Sequence, residues 1–269
     1  METQSYTYPY PHPAVATDCV VFGFDGHELK ILLVERGVEP FKGLWAFPGG
    51  FLRMEETAEQ CALRELKEET NLDLRYLKQL GAFSDIHRDP RERVISIAFY
   101  ALAKKADVKG GDDAAKAQWF PIDETPRLAF DHDYILRKAM KKIREDIHFE
   151  PIGFDLLDEQ FTMPELQRLY EAILGVHFDR RNFYKKMLQT GILDEVTDTD
   201  YPDQPEFFGK HNEMRTMSID ALFDIPLSHA IDPSHSKPDD SRRRKGTRFS
   251  FNKKRYQQYK ENNNFRLEF

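Results

Sequence analysis

Three carboxylates, Glu65, Glu68 and Glu69, stand at helical spacing i, i+3 and i+4. Thr57 can cap the helix that carries them, with Gln60 as its capping-box partner. At about 100° per residue, Ala58, Cys61 and Ala62 share a face with the three acids. That face is small and apolar first, then acidic. The carboxylates repel one another by a few tenths of a kcal/mol per pair, and Glu68 and Glu69 lie at the helix end whose dipole disfavours anions. A cation relieves both costs. Hard oxygen ligands with room for water and phosphate point to Mg²⁺ or Mn²⁺, and Gly49 and Gly50 just upstream leave space for a backbone carbonyl to reach it. For an isolated acidic cluster, a solvated face neutralised by Arg64 and Lys67 is the favoured reading.

The wider spacing decides between these readings. Gly50-x5-Glu56-x7-Arg64-Glu65-Leu66-x-Glu68-Glu69-x-Asn71-Leu72 resembles the Nudix signature G-x5-E-x7-R-E-U-x-E-E-x-G-U, where U is a bulky aliphatic residue. The one departure, Asn71 for Gly, falls just past the helix end, where Asn is the next most tolerant residue of a left-handed turn. The resemblance implies an α/β fold, a Nudix α/β/α sandwich with a mixed sheet. It also implies a metal site made by Gly50, Glu65, Glu68 and Glu69, with Arg64 orienting the catalytic carboxylates and Glu56 supporting the loop. In that chemistry metal ions activate a water and neutralise a diphosphate. The substrate class it implies is a nucleoside diphosphate linked to another group.

Which derivative is bound depends on residues outside the signature. His87-Arg88-Asp89-Pro90-Arg91-Glu92-Arg93 places three arginines beside an apolar strand, suited to phosphate or a terminal ribose. Arg36, at the start of a turn-rich connection, is a fourth candidate, so Arg36, Arg88, Arg91 and Arg93 form the expected substrate-binding set. A charged surface turn remains an equal reading. The stretch resembles ADP-ribose-binding Nudix proteins, as does Leu128-Ala-Phe-Asp-His132. His132 is given no role.

The elements that must position these groups are legible around them. Ala14 to Phe24 and Leu29 to Val34 read as strands joined at the Asp25-Gly26 turn. Gly81 to Ser84 and Val94 to Leu102 read as two more, the latter apolar enough to be buried on both faces. A helix from about Asp133 to Asp146 closes a first domain, 1–150. The second domain, 151–269, opens with Thr162 and Glu165 as a capping box, an apolar stripe of Leu166, Leu169 and Ile173, and Gly175 as the stop. Asp179 caps the next helix, which Gly191 ends. Strands at Ile192 to Val196 and Arg248 to Phe251 complete a winged helix-turn-helix pattern.

Arg180, Arg181, Asn182, Lys185 and Lys186 on the second helix, with Arg243, Arg244 and Lys245 near the wing, are the candidate contacts to double-stranded DNA. A solvated basic tail is the plainer alternative for the last three. Together the halves resemble Nudix-related transcriptional regulators, over about 14–196 and again near 242. An acidic stretch, 197–240, stands where that family's wing is short. Two functions stay open: a metal-dependent pyrophosphohydrolase acting on a compound such as ADP-ribose, and, as the resemblance implies, a ligand-sensing DNA-binding regulator of NAD or sugar metabolism, with or without catalysis.

Charge is divided along the chain. Residues 1–160 hold 21 Lys and Arg against 29 Asp and Glu, whereas 161–269 hold 18 against 17. From Arg242 to Lys260 there are nine bases and no acid, while 197–240 carries ten acids and three bases. Such blocks indicate surfaces with different partners. No apolar run approaches the roughly 20 residues that span a bilayer, no secretory signal is evident, and two cysteines, Cys19 and Cys61, suit a reducing cytoplasm. A homodimer is expected from the two-fold logic of helix-turn-helix recognition.

Overall fold

The structure, a computed structural model, describes residues 7–104, 108, 114–196 and 247–261. Its first half is a mixed sheet between helices. β1 (Ala14–Phe24) turns at Asp25, whose Oδ1 accepts from the His27 and Glu28 N–H groups, each at 3.0 Å, and returns as β2 (Leu29–Arg36). Gly26 takes φ 95°, which suits a residue without Cβ. Two short strands follow, β3 (Trp45–Ala46) and β4 (Gly49–Phe51). Then come α1 (Ala58–Thr70), β5 (Lys78–Phe83), β6 (Val94–Leu102), β7 (Ala114–Pro121) and α2 (His132–Asp146). The strand order is β3-β2-β1-β6-β5, with β4 paired to β1 and β7 to β2; β1 and β6 run parallel.

Side-chain alternation along β1 separates two apolar layers. Cys19 and Val21 pack with Ala62 and Leu66 of α1, whereas Val20 and Phe22 pack with Ile135, Ala139 and Ile143 of α2. β6 lies between β1 and β5 and is mostly buried, as its apolar sequence requires. The second layer continues beyond the sheet.

The second half comprises β8 (Gln160–Thr162), α3 (Met163–Leu174), α4 (Arg180–Gln189), β9 (Leu193–Val196), β10 (Arg248–Phe251) and α5 (Lys253–Glu261). β10 pairs antiparallel with both β8 and β9. The caps fall at the expected residues. Glu165 closes a capping box on Thr162, Gly175 ends α3 at φ 71°, and Asp179 Oδ1 accepts from the Asn182 N–H at 2.9 Å. Leu166, Leu169, Tyr170, Ile173, Phe183, Met187 and Phe249 join the same buried cluster as α2. The two halves therefore share one apolar core, tied further by Arg144 Nε to Ile173 O and Arg168 Nε to Gly26 O, both at 2.9 Å. Among the described residues no helix is long and apolar enough to cross a membrane.

Candidate functional site

The carboxylate helix begins as its sequence requires. Thr57 Oγ1 accepts from Gln60 N at 3.2 Å and Gln60 Oε1 accepts from Thr57 N at 2.8 Å. It ends at Asn71, which adopts φ 59° and ψ 14° and donates its N–H to Lys67 O. Asn thus takes the left-handed turn that the signature assigns to Gly. Cys61, Ala62 and Leu66 are buried against the sheet, which turns the acids toward the β4 loop.

Arg64 organises the cluster. Its Nε and Nη2 form a bidentate fork on Glu56, at 2.9 and 2.6 Å, while Nη1 reaches Glu65 at 2.6 Å and Glu68 at 3.0 Å. That fork, opposed by modest desolvation and aided by the Arg53 N–H, holds the Glu56 carboxyl down at about 2. Glu69 differs. Half-buried, its Oε2 accepts from Gly49 N at 2.9 Å, yet burial pushes its carboxyl up to about 8, the Gly49 N–H opposing and the Glu65 charge adding to the shift.

Two backbone approaches fix the loop against the helix. β4 pairs with β1 so that Gly49 faces Asp18 and Gly50 faces Thr17. A Cβ on Gly50 would lie 2.4 Å from Glu65 Cδ, and one on Gly49 would lie 2.1 Å from Thr17 O. At Gly49 the obstacle is backbone, whereas at Gly50 it is the end of the Glu65 side chain.

The residues present fit a divalent cation. The donors are hard oxygens, Glu65, Glu68 and Glu69 face one cleft where a cation would relieve their mutual repulsion, and Glu65 lies against the Gly50 backbone. Among the described residues no three acidic, His or Cys side chains already surround a common point. Glu65 and Glu68 rest on Arg64 and Glu69 on the Gly49 N–H. A cleft of about 590 Å³ opens over the acids and is lined by Arg36, Phe47, Gly50, Arg64, Glu65, Glu69 and Arg91 among others. A larger cleft of about 830 Å³ lies between β5 and α2 and contains none of the signature residues. Its volume says less than the chemistry of the smaller one.

The four candidate arginines take different places. Arg36 and Arg91 line the carboxylate cleft. Arg36 Nε donates to Pro40 O at 2.7 Å, and Arg91 makes a bidentate pair with buried Asp89 at 3.0 and 2.7 Å. Arg88 is instead enclosed, its side chain 4% exposed, bridging Asp131 at 2.8 and 3.1 Å and Asp18 at 3.3 Å. Arg93 donates to the Ser84 and Asp85 carbonyls, both at 2.9 Å, and so holds a turn. Charge pairing across the sheet thus separates arginines that look equivalent in the sequence.

His132, left without a role, accepts the Phe47 N–H at Nδ1 (3.0 Å) and turns Nε2 toward Asp18 at 3.3 Å. Burial alone would raise the Asp18 carboxyl, but His132, Arg88 and Ser96 bring it down to about 2. This buried network ties β1 to the start of α2. Nothing local marks Asp18 in the sequence, and Asp131 stands out only as a member of Leu128-Ala-Phe-Asp-His132, with no role attached.

On α4, Arg180, Arg181, Asn182 and Lys185 are exposed and Lys186 is half-buried, while Phe183 and Met187 face the core. Arg243, Arg244 and Lys245 lie outside the described residues, as does the acidic stretch 197–240.

Residues 12–141 match the NUDIX domain family, and residues 153–204 match the NrtR DNA-binding winged helix domain. The chain is similar to the ADPR responsive transcriptional repressor NtrR of Acinetobacter baylyi, 32% identical over 206 residues, covering 75% of this chain and 80% of that protein. It is also similar to the ADP-ribose pyrophosphatase of Methanocaldococcus jannaschii, 44% identical over 132 residues, which are 49% of this chain and 76% of the other. Among solved structures, Shewanella oneidensis NrtR superposes with TM-score 0.59 at 30% identity, covering 68% of this chain and 87% of that one. The same protein complexed with a 27mer DNA gives 0.56 at 28% identity, over 70% and 90%.

Proposed function

The chain belongs to the family of Nudix proteins that carry an NrtR-type winged helix, and from that premise we propose that it is a metal-dependent pyrophosphohydrolase of ADP-ribose or a close nucleoside diphosphate derivative. The observation that carries this reading is the complete acidic cluster: Arg64 forks onto Glu56 while touching Glu65 and Glu68, and Glu69 faces the same cleft. The Gly50 carbonyl, Glu65, Glu68 and Glu69 are the residues that would hold Mg²⁺ or Mn²⁺. Bound there, such ions supply charge neutralisation for a diphosphate and activate water. Arg64 keeps two carboxylates oriented, and Glu56 keeps Arg64 in place. Glu69 completes the acidic set, its Oε2 oriented by the Gly49 N–H. Arg36 and Arg91 supply positive charge at the cleft for phosphate oxygens.

Purified protein incubated with ADP-ribose and Mg²⁺ or Mn²⁺ should release AMP and a phosphosugar. No release from a panel of nucleoside diphosphate derivatives under either metal sinks the hydrolase reading.

A second reading rests on a separate observation, the exposed Arg180, Arg181, Asn182 and Lys185 at the start of α4. These residues suit the edges and phosphates of a major groove. The chain would then be a cytoplasmic DNA-binding regulator whose Nudix cleft senses ADP-ribose, acting as a homodimer on a two-fold site. An anisotropy titration against the upstream DNA of its own operon, with and without ADP-ribose, tests it. Binding without sequence preference at moderate salt counts against it, since basic residues alone give that much. Catalysis and sensing are compatible, because a regulator that destroys its effector needs both sites.

A further inference from the structure

Phe130 precedes α2 with φ 53°, in the left-handed region that a bulky residue seldom occupies. Its backbone is held there from both sides. Ala129 donates to Trp45 O at 2.8 Å, and Asp131 is gripped by Arg88. Asn or Gly would relax this position, so the aromatic ring needs a reason. The ring sits among cations. Arg36 Cζ lies 4.8 Å from its centroid and Arg91 Cζ 5.8 Å. Phe41, itself at φ 64°, meets it edge-on at 5.0 Å, and Arg91 also packs over Phe51 at 5.2 Å.

We propose that Phe130 is a positioning residue that holds the Arg36 and Arg91 guanidiniums at the mouth of the carboxylate cleft, ready for the diphosphate oxygens of the ligand. The inference rests on the reading that this cleft takes a nucleoside diphosphate derivative. The physical problem it solves is attraction within the site. Two guanidiniums share a cleft with Glu65, Glu68 and Glu69. Left to themselves, long cationic side chains collapse onto the carboxylates, blocking metal and phosphate together. An aromatic face holds a guanidinium without neutralising it. The Pro40 carbonyl restrains Arg36 without neutralising it, whereas Arg91 is also fixed by a bidentate pair with Asp89 and shares its charge with that carboxylate.

Phe130→Leu keeps an apolar side chain and the same backbone strain but removes the π face, and Phe130→Tyr restores that face. Each protein is assayed for ADP-ribose hydrolysis, titrated with inorganic pyrophosphate in the presence of Mn²⁺, and followed by the NMR signals of the Arg Nε–H groups. F130L should raise KM for ADP-ribose, and the Kd for pyrophosphate, about 5- to 30-fold, the equivalent of two cation–π contacts. That is about 1–2 kcal/mol at 1.4 kcal/mol per tenfold. The kcat should stay within about twofold and Tm within about 2 °C. The ring-shifted Nε–H signals of Arg36 and Arg91 should be present in the wild type, lost in F130L and regained in F130Y, which should also regain wild-type KM. Unchanged KM and pyrophosphate affinity in F130L overturn the inference, as does a loss of kcat together with Tm, which marks Phe130 as packing only. A wild type that ignores ADP-ribose but binds pyrophosphate refutes the substrate reading and leaves this inference to be judged on pyrophosphate. A wild type that binds neither refutes both.

Discussion

Gly49 and Gly50 are adjacent, both on β4, and both too crowded for a Cβ, yet alanine at the two positions should have opposite consequences. At Gly50 the new methyl would lie 2.4 Å from Glu65 Cδ and from one carboxylate oxygen, and 2.8 Å from the other. Those atoms end a flexible side chain, so Glu65 can withdraw by about 1 Å, a displacement of a reacting group on the order that costs 10²-fold in rate. The fold loses little. At Gly49 the methyl would lie 2.1 Å from Thr17 O and 3.1 Å from Asp18 Cα. These are backbone atoms of β1, the central strand of the sheet, and they cannot yield without breaking the β1–β4 pairing. Overpacking of this kind costs about 1–3 kcal/mol. For a chain of this size that is a fall in Tm of about 2–12 °C. Scanning fluorimetry and AMP release at saturating metal, measured in parallel, separate the two. G50A should keep Tm within about 3 °C while kcat/KM drops about 100-fold, and G49A should unfold early. If G50A hydrolyses ADP-ribose at the wild-type rate, Glu65 is not held by that contact and the placement of the metal site beside Gly50 is wrong.

Glu69 gives a pH prediction. Its folded carboxyl titrates near 8, above its ordinary value of 4.5, so without metal the folded state binds the extra proton, and stability falls as pH rises from about 4.5 through about 8. In EDTA, Glu69→Gln should therefore exceed the wild type in Tm at pH 8 and match it near pH 4.5, with Mn²⁺ stabilising the wild type more than the variant; equal Tm at both pH values contradicts the burial. The same variant should lose several orders of magnitude in kcat. Arg144→Ala removes the 2.9 Å bond from α2 to the Ile173 carbonyl at the end of α3. It should leave ADP-ribose affinity intact while changing the effect of ADP-ribose on DNA affinity by about 0.5–2 kcal/mol; an unchanged ratio of DNA Kd values dismisses that route. Arg181→Ala should weaken DNA binding and reduce the slope of log K against log salt by about 0.9 if it meets one phosphate, and an unaltered slope removes it from the interface.

What could be read in advance was local. The Thr57 and Thr162 boxes, the Asn71 turn, Asp179 and Gly175 depend on neighbours within a few residues, so spacing alone placed them. The parts that were missed depend on distant partners. Arg88 is enclosed by Asp18 and Asp131, 70 and 43 residues away, and no periodicity relates them. β3, β4 and β8 have two or three residues each, too short for alternation to register. β7, AAKAQWFP, alternates only from Ala115 to Trp119 and through small alanines, a weak signal until β2 lies beside it. α5 was hidden by its charge: only Tyr256 and Tyr259 carry its apolar contact with the core. Phe130 shows the limit most plainly, since a left-handed backbone is legible in Gly or Asn and not in Phe.

The shared core explains how one chain can hold both activities. α2 begins beside the cleft, where His132 accepts the N–H of Phe47, a lining residue, and with Asp131 belongs to the buried network with Asp18 and Arg88; it ends where Arg144 meets α3. Fifteen residues at 1.5 Å rise make a rod of about 22 Å, packed along its length by Ile135, Ala139 and Ile143. A ligand can bias the winged helix through such a rod only to the extent that it binds two arrangements of it unequally. Under the proposed hydrolysis that bias would last only as long as the bound diphosphate survives in the cleft. G50A should consequently do more than slow turnover. With Glu65 displaced but Arg36, Arg91 and Phe130 untouched, ADP-ribose should occupy the cleft for longer, and any effect of ADP-ribose on DNA binding should persist in G50A after it has decayed in the wild type. Decay at equal rates in the two proteins would separate the sensing ligand from the substrate.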